Sequence, residues 1–273
     1  MKSLRSVGDK PYFRSAISRI EPGYMNVRGY DLRDLIQHAD WSEVMFLTVV
    51  GRRPSKAEKA VFDAILISAV DGGFMSAMAV AARYAASGGA TVSAGVAAGI
   101  ATAGHHTAAP QRIGDLLVEI TGDKSGPSDI TAEDIEPVVR AVLARGERIP
   151  GLGHPVHKTW DPRVEGIRAV AEANDMAGGY LRVMDLVEEV TNKVTGKTLP
   201  MNVDGAMGAL LLDMGVQGEE MLAINIMASC TGVAAHVIEE IRDGVPLRIV
   251  LEHDLEYTLP RETVPWNENS EAQ

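Results

Sequence analysis

Cys230 is the only cysteine, so no intramolecular disulfide framework and no cysteine-built zinc site can form, and the chain fits a reducing compartment. Positive charge is also short. Lys and Arg number 26 against 37 Asp and Glu, a formal net charge of −11. A nucleic-acid binder needs a basic face to displace counterions from phosphates, so nucleic acid is excluded as the expected partner, although local basic pockets are not. Long apolar runs are missing too. The opening "MKSLRSVGDKPYFRSAISRI" has no apolar signal-peptide core. The run "ASGGATVSAGVAAGIATAG" carries too few large side chains for a membrane span. These absences predict a soluble, cytoplasmic protein with no membrane partner. The seven histidines show no HxxxH or HExxH spacing, and neither a GxGxxG nor a GxxxxGK[ST] phosphate loop occurs. No metal is expected.

What is present is an ordinary globular balance: 273 residues, 46% hydrophobic and 23% charged, enough to bury a large core and to divide into two lobes. Disorder is expected only in the tail "NENSEAQ". No sustained period-2 alternation appears, and the turn signals are spaced for helices of ten to twenty residues, so the fold class is all-α. "YDLRDLIQHADWSEVMFLTVVG" reads as two helices, the second started by a Ser42 N-cap and stopped by Gly51. A Ser55–Glu58 capping box opens the next. Further helices are predicted at 75–86, 91–103, 111–121, 131–145, 161–173, 178–194, 203–213, 218–227 and 229–242, with extended pieces near 12–28 and 247–257.

The glycines of 87–104 lower helix propensity by about 1 kcal/mol each relative to alanine, so they point to close backbone approach, within the core or across a subunit boundary. Four features carry potential chemistry: "GLGHPVHKTWDPRV" at 151–164, "LPMNVDGAMGALLLDMG" at 199–215, the pair His105–His106, and Asp71. Each also has a plain structural reading. Asp204 near a helix N-terminus stabilises the macrodipole, His154 and His157 belong to a polar loop, and His105 and His106 cap a helix.

Three blocks, in order, carry a family likeness. "RGYDLRDLIQHADWSEVMFLTVVGRRPSKAE", "GLGHPVHKTWDPRV" and "NVDGAMGALLLDMG" resemble segments of the citrate synthase superfamily, and more closely its short citryl-CoA lyase branch and the citryl-CoA-cleaving module of ATP-citrate lyase. With "VAAHVIEE" near the end, the likeness covers about residues 24–245.

The resemblance implies a citrate synthase-like two-lobed helical fold, with a small lobe at 108–215 and a large lobe formed by 1–107 and 216–273. It implies a homodimer or higher homo-oligomer that binds an acyl-CoA and an organic acid, with CoA or acetyl-CoA as co-substrate and no metal. Ile149, Gly151, Leu152, Gly153 and Lys158 would face CoA. Asp204 would exchange the α-proton, His154 would donate to the substrate oxygen, and Arg163 would clamp a carboxylate. Two departures stand out. By the resemblance, Thr107 replaces the family's thioester-oxygen histidine and Gly72 the alternative used by ATP-citrate lyase, so that donor must come from His105, His106 or elsewhere, with His106 placed as catalytic and His105 beside the substrate. Cys230 is placed where the family carries a carboxylate-binding arginine, with Arg248 or a neighbouring subunit's arginine as replacement. The expected function is a CoA-thioester C–C lyase or synthase, citryl-CoA lyase-like. The alternative is a catalytically impaired paralogue that serves as a CoA-binding or partner subunit.

Overall fold

Short polar side chains set the helix starts in this chain. The structure, a computed structural model, describes residues 12–104, 107, 109–259 and 261–263, so His105, His106 and the tail "NENSEAQ" lie outside the described residues. Asp40 and Glu43 form a reciprocal capping box that opens α2 (Trp41–Val50), and Ser55 and Glu58 do the same for α3 (Lys56–Ser68). The expected Ser42 cap is therefore corrected to Asp40. Ser42 is the second residue of the helix and is buried. Ahead of them, β1 (Ser18–Glu21), β2 (Tyr24–Val27) and β3 (Tyr30–Asp31) form an antiparallel sheet, its first turn made by Pro22 and Gly23 with φ of +73° at the glycine. Asp31 then caps α1 (Leu32–His38).

The rest is helical: α4 (Ala77–Ser87), α5 (Val92–Ile100), α6 (Pro110–Thr121), α7 (Ala132–Ala144), α8 (Pro162–Ala173), α9 (Tyr180–Thr195), α10 (Val203–Asp213) and α11 (Glu219–Asp243). The all-α class is observed. Two expectations are corrected. The segment 247–257 forms no strand, only a 3-10 turn at Glu252–Asp254. The helices expected at 218–227 and 229–242 are one, because the small, polar stretch around Gly232 does not break α11 but lets it approach a neighbour. A Cβ at Gly232 would stand 2.3 Å from the Val70 carbonyl oxygen, which instead accepts the Gly232 N–H at 3.0 Å.

Two apolar clusters fill the interior. The larger gathers Phe46, Phe62, Ile135, Leu181, Met184, Met207 and Leu210 from α2, α3, α7, α9 and α10, with Phe46 and Phe62 edge-to-face at 5.2 Å. Every residue of α10 from Gly205 to Leu212 is buried, so this helix has no solvent face and runs through the centre. The smaller cluster joins α4 and α11 through Met78, Ala82, Ala86, Val233 and Val237, with α5 laid across them. Gly95 and Gly99 make that crossing possible: a Cβ on either would stand within 3 Å of Val237 or Val233. At these two glycines the close approach predicted from the sequence lies within the chain. Although α11 has the length and hydropathy of a membrane span, it packs along α4, α5 and α6 of its own chain.

Asp213, at the end of α10, caps a different helix. Both its oxygens accept the Tyr180 N–H at 3.0 Å, and the carboxylate occupies space that a side chain at Gly179 would fill. Burial pushes this carboxyl up to about 6 from 3.8, against those amide bonds. The folded state therefore binds the proton more tightly than the unfolded chain. Its stabilising contribution is complete below pH 3.8 and is lost as pH rises through about 6. The expected outcome is that wild-type stability falls by on the order of 2 kcal/mol more than that of Asp213→Asn between pH 4 and pH 7, measured by urea unfolding. Parallel pH profiles for the two proteins would refute this.

Candidate active site

The site begins where the 149–154 loop meets the first turn of α10. Gly151 and Gly153 hold φ of +79° and +80°, a left-handed conformation that other residues rarely adopt. Space is as restrictive as angle. A Cβ on Gly151 would stand 2.8 Å from the Gly205 Cα, and one on Gly205 would stand 2.6 Å from the Gly151 carbonyl oxygen.

Asn202 fastens this contact three ways. Its side-chain oxygen accepts the Gly205 N–H at 3.2 Å and caps α10, its backbone N–H donates to Gly151 O at 2.9 Å, and its amide nitrogen donates to Gly153 O at 2.9 Å. The Gly153 N–H in turn donates to Pro200 O at 2.7 Å. From α9, Glu188 accepts the Met201 N–H and Asn192 accepts the Leu199 N–H, so the strand-like segment before α10 is also fixed.

Asp204 sits in this first turn and lines two cavities. The larger, about 580 Å³, is bounded by 146–151, Arg112, Thr107 and Asn202. The smaller, about 380 Å³, adds His154, Arg163, Asp71, Gly72, Asn225 and Ser229. Burial pushes the Asp204 carboxyl above the usual carboxylate range, and the positive charge of Arg163 opposes this only in part. A carboxyl held this way is better suited than a solvated one to pick up and return a proton.

His154 is set by its own loop. Its Nδ1 accepts the Val156 and His157 backbone N–H groups, both at 3.1 Å, so in the neutral ring the proton lies on Nε2. Burial, then the charge of Arg163, lowers its pKa and favours that neutral form. The ring therefore presents an Nε2–H donor. Arg163 is held by Asp161, whose oxygens take Nε at 3.0 Å and Nη2 at 2.6 Å, so the remaining edge of the guanidinium is left for a ligand. Burial alone would raise the Asp161 pKa, but the bonds from Arg163 and its amide more than offset this and lower it. His154, His157 and Asp161 offer ligand atoms within 4.8 Å of one another, but His154 Nδ1 and both Asp161 oxygens are already committed to these protein donors.

The predicted residues distribute unevenly. Asp204, His154, Arg163, Leu152 and Gly153 line the smaller cavity, and Ile149 and Gly151 the larger. Lys158 donates to His154 O at 3.2 Å and so closes the loop rather than lining either space. Arg248 is not brought to the cleft of its own chain. It pairs with Glu240 at 2.7 Å beside the exposed apolar side chains Leu247 and Ile249. On α11 it is Ser229, not Cys230, that lines the cleft, since one residue turns a helical side chain by about 100°. Two residues were missed: Asn202, which the capping signature before "VDG" can reveal, and Arg148. Arg148 lines both cavities and has no hydrogen bond or ion pair among the described residues.

A helical scaffold that joins a glycine loop, a half-buried acid and a histidine–arginine pair at one cleft defines a class, and comparison with known proteins agrees. The chain belongs to the citrate synthase family: the family model described as citrate synthase, C-terminal domain, matches residues 45–250. It is 30% identical over 211 residues to the putative citrate synthase 2 of Mycobacterium tuberculosis, covering 74% of this chain and 53% of that one. The chain thus spans about half the length of that relative. It is similar in structure to the citryl-CoA lyase of Hydrogenobacter thermophilus, with a TM-score of 0.81 and 29% identity over 93% of this chain and 98% of that one. The ATP citrate lyase of Methanothrix soehngenii, solved with citrate and coenzyme A, shares the fold at a TM-score of 0.77 and 21% identity, covering 94% of this chain and 43% of that one.

The three bonds of Asn202 separate in two substitutions. Asn202→Asp keeps the cap but loses the donor to Gly153 O, whereas Asn202→Ala loses both, so the alanine variant is expected to be less stable by about 1–2 kcal/mol. Both variants should expose the Gly153 amide to faster hydrogen exchange. Wild-type protection in both would show that the loop does not depend on this side chain.

Proposed function

We propose that the chain cleaves or forms a C–C bond next to a CoA thioester, with citryl-CoA or a related acyl-CoA adduct giving acetyl-CoA plus a 2-oxo acid. The observation that carries this reading is the position of Asp204 between the two cavities. One has room and backbone for the thioester end of CoA, and the other brings His154 and Arg163 to the acid. The α-carbon of a thioester is too weakly acidic to ionise freely, so a positioned carboxylate must exchange its proton. In condensation Asp204 takes that proton. In cleavage it returns it, and its raised pKa suits the second task. His154 Nε2–H donates to the oxygen at which charge develops, and the free edge of Arg163 holds the carboxylate of the oxo acid.

The similarity to citryl-CoA lyase over nearly the whole of that chain supports cleavage over synthesis. Lining residues from 68–78 and 225–229 face those from 148–163 and 202–204 across the smaller cavity, which supports a small lobe at 108–215 set against the flanking segments. Self-association belongs to the same proposal. Phe74, Tyr84, Leu247 and Ile249 are exposed apolar side chains around one surface depression.

Asp204→Asn preserves shape and removes the proton carrier. Turnover of citryl-CoA or its reverse condensation is expected to fall by about 10²–10⁴-fold, with CoA affinity by calorimetry close to wild type. Near-wild-type turnover in the variant would remove Asp204 from the mechanism.

A further inference from the structure

The smaller cavity has a second wall that the proposed mechanism leaves unused. It is built by α11 and the turn after α3, with Asn225, Ser229, Ala69 and Asp71 lining it. Asn225 is 4% exposed, yet its amide has no hydrogen-bond partner among the described residues. The side chain lines the cavity, so its donor and its acceptor are open to a ligand there. Ser229, 6% exposed, donates to Ala69 O at 3.3 Å and keeps its oxygen as an acceptor. Asp71 is anchored from behind. His236 Nδ1 accepts Arg83 Nε–H at 3.1 Å, which puts the ring proton on Nε2, and this donates to Asp71 Oδ1 at 3.1 Å.

Charge is divided between the walls. The cationic side chains that line the cavity, Arg148 and Arg163, lie with His154 on the opposite side, and no Lys, Arg or His lines the Asn225–Ser229–Asp71 wall among the described residues. A carboxylate placed there would lose water and meet a carboxylate instead of a cation. A hydroxyl or carboxamide both donates and accepts, and so can satisfy the Asn225 amide.

We infer that this wall is a specificity subsite for an uncharged, hydrogen-bonding substituent, so that the preferred 2-oxo acid carries one carboxylate, at Arg163, and a neutral polar group at Asn225 and Ser229. The inference rests on the CoA-thioester reading of the site. In the condensing direction the α-proton of acetyl-CoA passes to Asp204, the α-carbon bonds to C2 of the oxo acid, and the C2 oxygen, held by the hydrogen bond from His154 Nε2–H, takes a proton from solvent while Asp204 returns its own to solvent, so nothing further is consumed.

The test measures adduct formation from acetyl-CoA and four oxo acids by mass spectrometry. 2-Oxosuccinamate is the isostere of oxaloacetate with an uncharged carboxamide at C4, and 2-oxobutyrate is the apolar isostere of 3-hydroxypyruvate. Wild-type kcat/KM is expected to favour the neutral polar member of each pair by about tenfold or more, the effect of one hydrogen bond made or one charge left unpaired. Ser229→Arg should reverse the first preference. Asn225→Ala, the smaller change, should bring 3-hydroxypyruvate down to the level of 2-oxobutyrate. A wild type that prefers oxaloacetate, or an Asn225→Ala variant that keeps the wild-type ratios, would overturn the subsite while leaving the C–C lyase reading intact. No adduct from any of the four acids would overturn that reading itself, and the subsite with it.

Discussion

The contact of Gly151 with Gly205 is the constraint from which the rest of the site follows. Two backbones meet where neither can carry a Cβ, so the loop that holds His154 and the helix that holds Asp204 are fixed relative to each other by main chain alone. Side chains can change rotamer, but a backbone contact at this distance has little play. Asn202 then converts proximity into register, since its three bonds name both partners. Because α10 is buried on all sides, this junction is anchored to the centre of the larger apolar cluster rather than to a surface loop. Groups that must act on one atom are best held in this way.

The electrostatics of the cleft follow from the same arrangement. Asp204 is desolvated because α10 is central, and Arg163 cannot move closer to neutralise it because Asp161 holds one edge of its guanidinium. His154 is kept neutral from two directions, by amide donors that occupy Nδ1 and by the nearby charge of Arg163. An acid held above its usual range and a histidine held below it diverge in the sense that separates proton exchange from hydrogen-bond donation. Neither shift requires an extra residue. Both are consequences of where the loop and the helix meet.

Much of this was legible in the sequence, for identifiable reasons. Helices show through spacing and caps, and the family blocks place Asp204, His154 and Arg163 in order. What the sequence hides is rotation and partnership. A shift of one residue along α11 separates Ser229, which lines the cleft, from Cys230, which does not, and periodicity cannot resolve it. Gly232 lies inside α11 although helix interiors disfavour glycine, and a contact with the 69–71 segment over 160 residues away in the chain explains its presence. Arg248 reads as a free cation. Only the fold shows that Glu240 already holds it.

The wall of α11 extends this logic from geometry to chemistry. A serine in the cleft wall offers a hydroxyl and no charge. The residues around Ser229 add no cation: Asp71 brings a carboxylate, His236 is turned by Arg83 to donate toward Asp71 rather than into the cavity, and Asn225 offers an amide with no hydrogen-bond partner among the described residues. These neighbours are arranged to receive hydrogen bonds and to return one, which is what a neutral polar group requires.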